Sequence, residues 1–155
     1  MTTTTVLKDV YLFKDLDPTE LGVIASLAHE NTYAAGEDIF VNGQDAQSLF
    51  IIRMGSVKIY STATTGDVVN IAMLGSHTHF GEIPFLDGGK RSATAQAQET
   101  SHVVELSYDK LQEVMKHQPA IAVKIYHAFA HFLATRLRNT LDDLNHAKEV
   151  RLRHF

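Results

Sequence analysis

The apolar positions of this chain change their period twice. Leu21, Ile24, Ala25, Leu27 and Ala28 recur at three- and four-residue steps, which predicts an amphipathic helix. Just before them, Asp17-Pro18-Thr19-Glu20 reads as an N-cap, a proline at the first helical position and a capping-box glutamate. From Thr32 the helical period gives way to short stretches rich in β-branched and aromatic residues: Asp38 to Val41, Ser48 to Ile52, Ser56 to Ser61, Val68 to Met73 and His102 to Leu106. Gly36, Gly43, Gly55, Gly66 and Gly75 separate them as turn positions. Several short strands at intervals of roughly ten residues predict an antiparallel barrel or double-sheet roll. The helical period then returns. Ser107 can cap a helix from Tyr108 to about His117, and Pro119 opens a longer one. In that longer helix Ile125, Phe129, Phe132 or Leu133, Leu137, Leu141 and Leu144 form one stripe. A narrow stripe after a completed roll suits a helix that pairs with its own copy in a dimer; the alternative is a helix folded back on its own domain.

The predicted organisation is therefore one domain over residues 1–155. It comprises a helical part at 1–30, a β-roll at 31–107 and C-terminal helices at 108–155, a mostly β fold with flanking helices. At 155 residues and 45% apolar content no second domain is needed. The chain has no cysteine, which excludes disulfides, thiolate zinc sites and cysteine-ligated iron–sulfur clusters. No apolar run approaches the length of a membrane span, and the Met-Thr-Thr-Thr-Thr start has neither the basic nor the apolar part of a signal peptide. No membrane association and a cytoplasmic location are expected. A formal net charge of −4 argues against a generic electrostatic grip on nucleic acid.

Candidate chemistry concentrates in the sixteen residues from Phe80 to Ala95. They hold a glycine turn, a carboxylate, a short helix start and a lone arginine. A helix start offers backbone N–H groups and a positive dipole end, both favourable to phosphate. Arg91 adds a planar fork that matches phosphate oxygens in pairs. A carboxylate beside a phosphate site is unsuited to inorganic phosphate but suits a ligand with a sugar hydroxyl: Glu82 accepts from the hydroxyl while Arg91 takes the phosphate.

The order Phe80, Gly81, Glu82, Ile83, a short gap, then Arg91, Ala93, Thr94 and Ala95 resembles the phosphate-binding cassette of the cyclic nucleotide-binding domain family. The resemblance extends over essentially the whole chain. It implies a jelly-roll-like antiparallel β-roll with the cassette at 80–95 and a long C-terminal helix, with cAMP or cGMP as ligand. It also implies that Glu82 bonds the ribose 2′-hydroxyl, that Arg91 binds the cyclic phosphate, and that Gly81, Ile83 and Ser92 line the site. Pro84 departs from the pattern, which usually has Ala or Gly there with an N–H that donates to the phosphate. Proline has no such donor, and a hydrogen bond to a charged group is worth about 1.5 to 3 kcal/mol. The alternative is that Pro84 simply occupies the first helical position.

Phe132 to Thr140 looks like the central helix of the catabolite-activator type of bacterial regulator, which leads to a dimer contact and a hinge. In that resemblance Thr140 matches a polar residue that touches the base, and Arg136 lies four residues earlier on the same face. Leu141 stands where a second polar contact can occur, so the base preference is open. Such regulators continue into a winged helix-turn-helix, whereas the sequence given ends at Phe155. This leaves a stand-alone sensor domain or the sensing fragment of a longer chain, with Met1 and the absence of a tag favouring the former. No direct nucleic-acid binding is expected, and the downstream protein partner is unknown.

Other clusters carry less. His77-Thr78-His79 puts two imidazoles just before the cassette but lacks a third ligand for a metal, and a haem or metal-based gas sensor is a weaker reading. His127 and His131 sit four apart without the glutamate of a His-Glu-x-x-His motif, so helix packing explains them. Arg151, Arg153 and His154 form a short basic end. Neither a nucleophile with an adjacent base nor a carboxylate pair at a recognisable spacing occurs, so binding without catalysis is expected and no metal is assigned. The main competitor keeps the roll as a protein-interaction module that does not bind nucleotide.

Overall fold

A computed structural model describes residues 2–153. Its elements run in the order α1 (Thr3–Lys8), a 3-10 turn (Tyr11–Phe13), α2 (Pro18–Ala25), β1 (His29–Tyr33), β2 (Asp38–Phe40), β3 (Ser48–Met54), β4 (Val57–Thr62), β5 (Val68–Leu74), β6 (His79–Phe80), α3 (Ile83–Asp87), β7 (Thr94–Ala97), β8 (Ser101–Ser107), α4 (Tyr108–His117) and α5 (Pro119–Arg153). The strands form two antiparallel four-stranded sheets, ordered β1-β8-β3-β6 and β2-β7-β4-β5. This is the expected double-sheet roll with flanking helices.

The central strand β3 shows why the layers stack as they do. Ser48 to Ile52 are all buried, because each face of the strand meets a different core. Leu49 and Ile51 join the helical layer built from Val6, Leu7, Phe13, Ile24, Leu111, Ile121 and Ile125. Phe50 and Ile52 point between the sheets onto Val57, Phe80, Ala95 and Val103. Alternate side chains of a strand face opposite ways, so a run buried on both faces reads as continuously apolar. β8 behaves likewise, with Val104 and Leu106 toward the helices and Val103 toward the second sheet.

The capping box forms as the sequence requires: the Asp17 carboxylate accepts from the Glu20 N–H at 2.8 Å, and Glu20 Oε1 accepts from the Asp17 N–H at 2.9 Å. The same Glu20 carboxylate takes Lys124 Nζ at 2.6 Å, tying α2 to α5. Ser107 accepts from the Lys110 N–H at 3.4 Å and starts α4.

Three expectations change. Strand structure starts at His29 rather than near Thr32; β1 is a polar, half-exposed edge strand and carries no apolar alternation to betray it. Gly75 is not among the left-handed residues, and His77 takes that conformation instead with φ 69°. The α5 stripe also divides. Ile121, Ile125, Ala128 and Phe129 are buried in the domain's own core, whereas Leu137, Leu141 and Leu144 are 60%, 50% and 60% exposed. At 3.6 residues per turn, Ile125 and Leu137 lie roughly 120° apart around the helix, so one apparent stripe is two faces. The exposed face continues back through Tyr126 and Val123 rather than through Phe129 and Ile125.

Candidate functional site

The glycine turn, α3, the loop before β7, the second sheet and α5 enclose a cavity of about 610 Å³. Gly81 is required there for two reasons. Its φ of 78° is left-handed, and a Cβ would lie 2.9 Å from Arg91 Nη1 and 3.2 Å from the Phe40 ring. Glu82 follows as the N-cap of α3 but makes no capping bond with its side chain. Glu82 is 3% exposed and lies on the cavity wall. Ile83 and Ser92 also line the cavity, Ser92 exposed at its rim.

The segment around Arg91 is a loop, since β7 starts only at Thr94. The loop is fixed by backbone bonds instead: the Arg91 N–H donates to Gln44 O, and the Gly43 N–H donates to Arg91 O, both at 2.8 Å. Lys90 projects outward, with Nζ 3.7 Å from Asp45. The Arg91 side chain turns inward onto the cavity wall and is 5% exposed. Its Nη1 donates to Gly81 O at 2.9 Å and to Tyr108 Oη at 3.2 Å, and its Nη2 donates to Ser48 O at 2.7 Å. The guanidinium lies over the Phe40 ring at 4.0 Å. Nε is buried without a partner among the described residues.

Tyr108 completes this clamp by donating its hydroxyl to Gly81 O. Burial pulls the Arg91 guanidinium below its ordinary value, opposed by Tyr108 and by the carboxylates of Glu105 and Glu82. Burial raises the Tyr108 phenol, while the Arg91 charge pulls it the other way. The arginine is thus a desolvated cation held by neutral oxygens, with a carboxylate on the same cavity wall.

Pro84 occupies the second position of α3 rather than the first. With no N–H there, and the Phe85 N–H already bonded to Glu82 O at 3.0 Å, the helix start supplies fewer donors than the sequence pattern implied.

From α5, Phe132, Leu133 and Arg136 form the remaining wall. Thr140 is not among the lining residues; it is exposed and donates its hydroxyl to Arg136 O at 2.9 Å. The histidine pairs divide as well. His79 is buried on the cavity wall and His77 only half-buried, while His131 hydrogen-bonds Tyr11 and His127 is exposed. No cluster of three metal-ligating side chains occurs among the described residues. Of the basic end, His154 lies outside the described residues and only the Arg151 side chain is described, as exposed.

Tyr108, Phe40, His79 and the α5 wall were not assigned to the site from sequence. Phe132 and Leu133 carry a signal, an apolar pair within the α5 stripe, but the stripe's period alone assigns them to a dimer seam. Tyr108 carried none beyond its place after a helix cap.

Residues 30–118 match the family described as "Cyclic nucleotide-binding domain". The chain belongs to the cyclic nucleotide-binding domain family, and its fold is that of the catabolite-activator type of sensor. It is 33% identical over 132 residues to the cyclic AMP receptor protein of Thermus thermophilus, covering 85% of this chain and 59% of the relative. The crystal structure of the Thermus thermophilus catabolite activator protein superposes with a TM-score of 0.77 at 31% identity, over 87% of this chain and 62% of the other. The N-terminal domain of a Streptomyces coelicolor transcriptional regulator gives 0.74 at 29% identity, over 90% and 94% of the two chains. The chain spans about half to three-fifths of the length of the first curated relatives it matches. No described helix is long and apolar enough to cross a membrane.

Proposed function

We propose that the cavity senses cAMP or cGMP and passes the binding event to α5. The carrying observation is that Arg91 and Glu82, each at least nine-tenths buried, meet on one cavity whose far wall is α5. A volume of about 610 Å³ falls in the range of small-molecule sites. In this reading the cyclic phosphate takes the unpartnered Nε of Arg91 together with Ser92, and the ribose 2′-hydroxyl donates to Glu82. Gly81 and Ile83 shape the floor. The base then rests on Phe132 and Leu133, with Arg136 at hand, so occupancy biases how α5 packs. The likeness to the cyclic AMP receptor protein of Thermus thermophilus and to a cAMP-activated transcriptional regulator of Haemophilus influenzae supports a cAMP-type ligand. Neither a catalytic role nor a metal is invoked.

The exposed Leu137, Leu141 and Leu144 face is the proposed homodimer seam, because three large apolar side chains at coiled-coil spacing call for a partner helix. Thr140 flanks that face beyond the cavity lining, so a base contact from it would require the second copy. A downstream protein would read the α5 state, in the cytoplasm and without direct nucleic-acid contact by the described domain.

A second reading, an interaction module without nucleotide, rests on Pro84 and on an Arg91 already bonded to the protein's own carbonyls. Equilibrium dialysis with labelled cAMP and cGMP, on wild type and on Glu82→Gln and Arg91→Lys, separates the two. The sensing reading expects binding by the wild type and large losses in both variants; variants that bind as well as wild type would remove it.

A further inference from the structure

We infer that His79 is a positioning residue for Glu82, and that through it the site distinguishes a ribose from a 2′-deoxyribose. The inference rests on the cyclic-nucleotide reading above. His79 is 4% exposed, lies on the cavity wall, and has neither ring nitrogen hydrogen-bonded. A buried polar group without a partner is costly, so an imidazole in this position calls for a bond beyond those the described residues give it.

The Glu82 carboxylate faces the ring, with Oε2 3.6 Å from His79 Nδ1. That exceeds hydrogen-bond length by only about half an ångström. The carboxylate has two oxygens and no capping bond to hold it. One oxygen can accept from a ligand hydroxyl while the other closes onto Nδ1–H, satisfying the histidine and fixing the carboxylate in one rotation. The ring cannot easily swing away, since it packs edge-on against Phe132 of α5 with centroids 4.5 Å apart. His79 therefore links Glu82 to α5.

The test compares dissociation constants for cAMP and 2′-deoxy-cAMP in wild type, His79→Phe and His79→Gln, with thermal melting to confirm folding. Phe preserves the ring against Phe132 and removes the donor; Gln restores a donor. His79→Phe is expected to weaken cAMP by about tenfold, the scale of one hydrogen bond to a charged group, while 2′-deoxy-cAMP changes by less than about twofold. His79→Gln should recover part of the preference. If His79→Phe does not fold, His79→Leu serves in its place. Equal losses for both nucleotides would show a merely structural histidine and overturn the inference, as would unchanged binding of both. A wild type that binds neither nucleotide would instead fail the functional reading, and this inference with it.

Discussion

Replacing Arg91 by alanine should cost the free protein stability, before any ligand is considered. The side chain gives two charge-assisted bonds to backbone carbonyls, at 2.7 Å to Ser48 and 2.9 Å to Gly81. Each is worth about 1.5 to 3 kcal/mol. Stacking over Phe40 adds about 1 to 2 kcal/mol when desolvated. Against this, removing a buried cation recovers its desolvation cost, and Gly81 O keeps the Tyr108 hydroxyl. The net loss expected is about 2 to 4 kcal/mol. Urea unfolding followed by circular dichroism measures it, with an unchanged slope showing that the midpoint shift is a stability change. Arg91→Lys keeps a charge but not the fork, and should fall between wild type and Arg91→Ala. An Arg91→Ala midpoint equal to wild type would refute the claim that the clamp holds the cassette loop to β3. The same result would mean that Arg91 acts on ligand alone.

Leu137→Glu should split the proposed dimer by placing a charge in its apolar seam; sedimentation showing that wild type is already a monomer at micromolar concentration would dismiss the seam. Pro84→Ala restores an N–H and should tighten nucleotide binding by up to about 1.5 to 3 kcal/mol. Unchanged affinity in a calorimeter would leave Pro84 as a helix-start residue only. Burial raises the Tyr108 pKa above its ordinary 10.0, so its stabilising contribution is fully present below about pH 10 and is lost as pH rises through the folded value. The stability difference between wild type and Tyr108→Phe should therefore shrink above pH 10, and a difference constant to pH 11.5 would contradict this.

Much of the fold was legible because local signals agreed with tertiary need. Asp17, Pro18 and Glu20 specify a helix start by their own hydrogen bonds, and Ser48 to Ile52 is apolar throughout because both faces of β3 are covered. The short α1 was not legible, since six residues give no period and its burial of Val6 and Leu7 depends on distant partners. The two faces of α5 were merged for a related reason: three- and four-residue steps can drift around a 35-residue helix without breaking the pattern. At the site, the types and order of Gly81, Glu82 and Arg91 were readable. The direction of the Arg91 side chain was not, because Ser48 and Tyr108, far away in sequence, decide it.

Calorimetric titration of the wild-type protein with cAMP and with cGMP tests the central claim most directly. Saturable heat for at least one nucleotide, at one site per chain, is the predicted result. A folded protein that gives no saturable heat with either, up to millimolar ligand, would contradict it.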